Sequence, residues 1–398
     1  MKFLIINTDY PEFLRELYTR NSGLEHAPYA EQMRIRNEDL FGTADFYSGN
    51  LHLLGHDAWD IHANNEYLQK AWTRECTGKT TSSGSYHSDT LELLKKKARM
   101  VAHHIPARYI RSCTRPLYRF VDPHPQWYYE ILESQIRYYK PDIIWNHDFT
   151  LSTGFLRKMK TYTNLLIGQI AAPFPKGIDY NIYDLILSSL PNFVEYFRSL
   201  GIHSELQRLY FEPKVLLALP QETDFQTSVS FVGSISHEHE RRVKWLEYVS
   251  EVIGQHTAFG IWGTGIETLP KSSPIRCAYQ GPAWGMDMYS ILKASKITLN
   301  NHINIAGSYA NNMRLYEATG VGTLLITDWK ENLADLFEPG KEVVTYSTPE
   351  ECTELINYYL ANDREREAIA KAGQARTLRD HTYYQRMKEL LNIVEKYL

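Results

Sequence analysis

The sequence predicts an α/β protein with two doubly wound, Rossmann-like domains, and two observations carry that prediction. Short apolar runs of strand length alternate with helix-length amphipathic segments, which reads as a parallel sheet covered by helices. The alternation pauses at a proline-bearing stretch, 213–227 (PKVLLALPQETDFQT), and then restarts. A chain of 398 residues has length for two ordinary domains. We expect the first over 1–218 and the second over 225–379, with a helix at about 380–398 packing back onto the first.

In chain order, Lys2–Asn7 (KFLIIN) has the form of a buried parallel strand. Asp9-Tyr10-Pro11 then starts a loop at its carboxyl end, the place where open α/β sheets bind ligands. Residues 29–54 carry helical periodicity, and 58–61 read as the next strand. Residues 64–124 fit the pattern least and read as an insertion or an acceptor-side excursion. There, 80–85 is polar, 95–97 is a solvated lysine run, and His103-His104 lacks a third ligand at suggestive spacing. Order returns with a helix over 126–139 and a strand over 141–146 that ends in His147-Asp148. A helix over 151–160, strands over 164–170 and 183–188, and a helix over 191–200 complete the first half.

The second half opens with a strand over 228–232, then Gly233-Ser234 and a helix over 238–252. A strand over 257–262 runs into Gly263-Thr264-Gly265, and one over 296–300 into Asn301-His302. Residues 311–319 (NNMRLYEAT) form a short helix with Ser308 or Asn311 as cap. Gly320 and Gly322 then make the turn into a strand over 323–327. Helices rich in Glu, Lys and Arg fill 348–398.

Composition excludes several classes. The formal net charge of −4 gives no reason to expect nucleic acid as a partner. Four scattered cysteines without CxxC spacing argue against a zinc site or disulfide framework and fit a reducing cytoplasm. No signal peptide or transmembrane run is evident. We therefore expect a cytoplasmic protein, with peripheral membrane contact left open. Ser elbows, P-loops, HExxH and the full GxGxxG series are absent.

Several residues sit where chemistry is done, each with a plainer alternative. Gly233 and Ser234 let a phosphate approach backbone, or are ordinary turn residues. His237, Arg241 and Arg242 follow them as phosphate ligands or as solvated charges. Arg314 and Glu317, three apart, share a helix face and either meet a sugar nucleotide or form a plain ion pair. The neighbouring Asn311-Asn312 pair makes the plain reading less attractive. His302 donates to a phosphate or is a satisfied core histidine. His147 and Asp148 end a strand, where one of them orients or deprotonates a hydroxyl, or they are a packed His and a capping Asp. Asp9 is a competing carboxylate.

The block NNHINIAGSYANNMRLYEATGVG followed by TLLITD resembles the E-A-x-x-x-G-T/S segment of group-1 glycosyltransferases of the GT-B fold. With SFVGS, PDIIWNHD, GQIAAPFP and YDLILSS, the chain is most similar to the CgeB-like branch. That resemblance covers most of the chain and is weakest over 64–124. It implies that Glu317 binds the nucleotide ribose, that Gly233 and Ser234 lie along the diphosphate, and that Trp262-Gly263 lie near the base. It implies that His147 approaches the sugar. A second glutamate that many members carry eight positions before Glu317 is replaced here by Tyr309. The usual basic pair is also altered, with Arg241 or Arg242 and Arg314 as substitutes. The implied activity is metal-independent transfer of a sugar from a nucleotide diphosphate sugar to a hydroxyl of a glycan, protein or small molecule. The second domain would hold the donor and the first the acceptor. The nucleotide sugar is a co-substrate, and no cofactor is expected. The alternative is a nucleotide-sugar binding protein without turnover.

Overall fold

A computed structural model describes residues 1–78, 124–175, 177–220, 227–236 and 239–398. The readings made above for 80–85, 95–97 and His103-His104 therefore lie outside the described residues, as does His237.

The first elements are β1 (Lys2–Asn7), α1 (Pro11–Arg20), α2 (Tyr29–Glu38), α3 (Phe46–Leu53), β2 (Asp57–His62) and α4 (Glu66–Thr77). Then follow α5 (Gln126–Tyr139), β3 (Ile143–Asn146), α6 (Thr153–Met159), β4 (Leu165–Gln169), β5 (Leu185–Ser188), α7 (Pro191–Ser199) and β6 (Ser204–Leu206). Their six strands are ordered β2-β1-β3-β4-β5-β6. Phe3, Leu4, Ile5, Ile143, Ile144, Trp145, Leu165 and Leu166 are all buried, as expected of strands covered on both faces.

The second series is α8 (Val215–Ala218), β7 (Thr227–Val232), α9 (Glu240–Ile253), β8 (Phe259–Trp262), α10 (Ile275–Ala278), β9 (Tyr279–Gly281) and α11 (Gly285–Lys293). It continues with β10 (Ser295–Asn300), α12 (Met313–Val321), β11 (Leu324–Asp328), β12 (Val344–Tyr346), α13 (Pro349–Ala361), α14 (Asp363–Asp380) and α15 (Tyr383–Val394). Its sheet is ordered β12-β11-β10-β7-β8-β9. The register pairs Ile297 with Val229 and with Leu324, so the core runs through Val229, Phe231, Leu246, Ile261, Leu299 and Ile326.

Three readings are corrected. The loop expected after Asp9 is a helix within two residues, because Pro11 occupies the first turn of α1, where its missing N–H costs nothing. The helical stretch over 29–54 is two helices, interrupted by positive φ at Leu40, Gly42 and Ala44. Gly320 lies inside α12 rather than in the turn. A Cβ there would meet the Phe211 ring at 2.4 Å, so it is a close-packing glycine, while Gly322 at φ +87° ends the helix.

The chain forms two compact units, 1–36 with 56–169 and 174–185, and 37–55 with 170–173 and 186–398. In the second, α15 packs on α3. The Tyr383 ring lies 5.0 Å from Phe46 and 5.3 Å from Tyr47. Thr382 caps α15 with a capping box.

Candidate functional site

In the first unit two of the three proposed catalytic residues, Asp9 and Asp148, are held in buried polar networks. Asp9 is 6% exposed. Its carboxylate accepts from Arg36 Nη2 at 2.5 Å and lies 3.3 Å from His62 Nδ1. Burial opposes its charge, yet Arg36 and His62 together hold its pKa far below the usual carboxylate range. A carboxylate this acidic is a poor proton acceptor, so Asp9 is an ion-pair partner rather than a base.

Asp148 is likewise buried. It accepts from the Tyr128 hydroxyl at 2.7 Å and the Thr150 amide at 2.9 Å, with the His124 ring 3.3 Å away. Burial pushes its pKa up, but the His124, Thr150 and Tyr128 bonds outweigh that and leave it lowered. Asp148 thus shapes the turn after β3. Its backbone is pinned by Asn146, whose amide side chain gives and takes one bond.

His147 follows β3, and its amide donates to Ile6 O at 2.9 Å. Its half-buried ring meets Trp145 edge-on at 5.0 Å. Burial holds its pKa down to about 3. His147 is therefore neutral at physiological pH, suited to hydrogen bonding a hydroxyl rather than to taking its proton. Its ring proton shifts should stay flat in NMR from about pH 8 to about pH 5. A midpoint near the unperturbed value of about 6.5 would contradict that. Because the folded pKa is the lower one, His147 stabilises fully above about pH 6.5, and that contribution fades toward about pH 3.

The second unit gathers polar groups at the carboxyl ends of its central strands. Gly233 N donates to Trp262 O at 2.9 Å, and Gly263 N to Gly281 O at 2.9 Å. A Cβ on Gly263, at φ +151°, would fall 1.8 Å from Gly233 O. Glycine is required at Gly263 because the two loops touch backbone to backbone.

Arg242 crosses beneath these loops. Its Nη1 donates to Ser234 O at 3.1 Å and its Nη2 to Asn301 O at 2.7 Å, while Nε is buried with no partner. Burial lowers its pKa to about 10, still far above neutrality. Arg241, named from the sequence, is exposed on the outer face of α9. The periodicity held the answer: Trp245, Leu246 and Val249 are buried, and Arg242 lies three, four and seven positions before them.

After β10, His302 Nδ1 lies 2.6 Å from Asp328 Oδ1. The same oxygen accepts the His302 amide at 3.0 Å. The Asp328 carboxylate fixes the proton on Nδ1, and Nε2 is left buried without a partner. Burial raises the Asp328 pKa, but the His302 bond and the nearby Lys330 more than offset it. Sequence reading missed Asp328, whose signal was its place at the end of an apolar run.

Asn312, not Ser308 or Asn311, caps α12, accepting from Leu315 N at 3.3 Å. Its Nδ2 donates to Asn300 Oδ1 at 2.6 Å, tying the helix start to β10. One turn in, Arg314 Nη1 lies 2.9 Å from Glu317 Oε2 and Nη2 3.3 Å from Met288 Sδ. Arg314 Nε is buried without a partner. Burial raises the Glu317 pKa against the pull of Arg314, and the Arg314 charge is felt at Arg242. Asn311 points elsewhere, donating to Ser189 Oγ. Tyr309 is half-buried, with its amide on Ala306 O at 3.0 Å.

Two parallel six-stranded sheets clothed in helices match the GT-B fold of solved glycosyltransferase structures. Residues 241–392 match the family described as "Glycosyl transferase-like". A glycosyltransferase structure from Rickettsia africae aligns with TM-score 0.55 at 11% identity, covering 100% of this chain and 98% of that one. Anabaena Alr3699/HepE in complex with UDP-glucose aligns with TM-score 0.55 at 11% identity over 100% of both chains. Sucrose-phosphate synthase from Thermosynechococcus elongatus aligns with TM-score 0.54 at 10% identity, covering 100% and 98%. No curated protein matches the chain by sequence. Among the described residues, no helix is long and apolar enough to cross a membrane.

Proposed function

We propose that this protein is a cytoplasmic glycosyltransferase of the CgeB-like branch. It transfers a sugar from a nucleotide diphosphate sugar to an acceptor hydroxyl without a metal ion. The observation that carries this reading is a set of buried, incompletely partnered nitrogens in the second unit: the Nε donors of Arg242 and Arg314 and the acceptor Nε2 of His302. Buried polar groups without partners are costly; a bound phosphate would accept from the two arginine nitrogens, and a sugar hydroxyl would donate to His302 Nε2.

Within that reading, Glu317 accepts the ribose hydroxyls. The Gly233-Ser234 backbone, Arg242 and Arg314 meet the diphosphate, whose developing charge they stabilise as it leaves. Trp262 and Gly263 border the base. His302 Nε2 and Tyr309 meet the transferred sugar, and in the first unit His147 hydrogen bonds a hydroxyl as a neutral ring. UDP-sugars are first candidates, since the Anabaena relative binds UDP-glucose.

A thermal-shift panel of UDP-, GDP-, dTDP- and CMP-sugars tests the donor class. Ligand at a hundred times its Kd stabilises by about 2.7 kcal/mol. For the nucleotide that responds, Glu317→Ala should weaken calorimetric affinity roughly 10- to 100-fold, since hydrogen bonds to a charged acceptor contribute about 1.5–3 kcal/mol. Unchanged affinity would remove Glu317 from the donor site. Nucleotide binding with no hydrolysis or transfer across an acceptor screen would favour the non-catalytic alternative.

A further inference from the structure

The first unit carries a second concave site. Helix α1, the segment around Glu25 and the start of α4 enclose an open groove of about 390 Å³. That is within the ~300–1,000 Å³ typical of small-ligand sites. Tyr18 and Tyr67 form an aromatic wall, with ring centroids 4.8 Å apart at 57°. Tyr67 is 48% exposed, so part of its surface is open to a ligand.

Polar groups surround the wall. Arg15, Glu25, Asn65 and Glu66 also line the groove. Asn65 is only 1% exposed. Its Oδ1 accepts from the Tyr18 hydroxyl at 2.8 Å and from Leu68 N at 3.2 Å, while Nδ2 is buried with no partner. The Tyr18 hydroxyl also lies 2.8 Å from Gln32 Oε1, so its single proton is shared between two acceptor oxygens. Asn65, Glu66 and Tyr67 follow β2 directly, at the carboxyl end of a parallel strand, where open α/β sheets bind ligands.

We propose that this groove is a saccharide subsite holding one neutral pyranose unit of the acceptor, a role that rests on the glycosyltransferase reading above. A half-exposed tyrosine offers an apolar surface with a polar tip, which suits the C–H face and hydroxyl rim of a sugar ring. Glu25 and Glu66 accept hydroxyl hydrogens; Arg15 and the idle Asn65 Nδ2 donate. Glu66 is already paired with Lys70 Nζ at 2.5 Å, which leaves Arg15 and Glu25 as opposite charges; with no net positive charge to hold an anionic sugar, the occupant is neutral.

The test is saturation-transfer NMR on the full chain with methyl glucoside, galactoside and mannoside, and with glucuronic acid as the charged control. At least one neutral pyranoside should give saturable contact, weakened tenfold or more by Tyr67→Ala and by Arg15→Ala. Nucleotide affinity should be unchanged in both variants. The proposal is overturned if no neutral pyranoside binds, if only the uronate binds, or if contact survives both substitutions. Failure of the donor reading is separate: nucleotides then fail to bind the wild type whatever the pyranosides do.

Discussion

Asp9→Ala should destabilise the protein by about 3–5 kcal/mol, because removing one partner strands the other buried charge. Asp9 and Arg36 are 6% and 1% exposed, and their contact is 2.5 Å. Arg36 sits on α2, with its guanidinium 5.6 Å from the centre of the Phe13 ring. Chemical denaturation should show a lowered midpoint at unchanged slope. The double variant Asp9→Ala, Arg36→Met should recover much of the loss, since an apolar pair of similar volume often replaces a buried ion pair at little cost. The pH dependence has a definite sign. The folded pKa lies below the unfolded one, so the contribution is complete above about pH 4 and is lost as pH falls below it. The gap between wild type and Asp9→Ala should close in acid. If the variant keeps its stability but loses turnover, Asp9 is a base after all.

The reach of sequence reasoning follows from sequence separation. Strands β1, β3, β10 and β11 were legible because a strand buried on both faces is written as an unbroken apolar run. Strands β6 and β9 span three residues each, too short to show a period. Helix α1 was hidden because Asp9-Tyr10-Pro11 reads equally well as a turn. Glu317 and Arg314 were legible as a local pair on one helix face. The partners that decide the fate of Asp9 and His302 were not: Arg36 is 27 residues from Asp9, and Asp328 is 26 from His302. Only the fold brings such pairs together, and they separate a free carboxylate from a committed one.

The same long-range logic makes Arg242→Ala the sharpest test of the donor site. Arg242 joins two loops, Ser234 after β7 and Asn301 after β10, through separate nitrogens at 3.1 and 2.7 Å. Alanine leaves both carbonyls short of a donor, which should cost about 2–6 kcal/mol at about 1–3 kcal/mol per stranded group. It also removes a charge from the centre of the cluster. A plain loop staple and a diphosphate ligand predict different binding patterns. If Arg242 only staples, a nucleoside and its diphosphate should lose affinity in parallel. If it meets the diphosphate, the nucleoside should be nearly unaffected while the diphosphate weakens roughly 100-fold, about 2.8 kcal/mol at 1.4 per factor of ten. Lysine keeps the charge but cannot span both carbonyls with a planar fork. Arg242→Lys should therefore recover part of the diphosphate affinity without recovering the stability. Recovery of stability without affinity would reverse the assignment and leave Arg314 and the Gly233-Ser234 backbone as the groups that meet the phosphates.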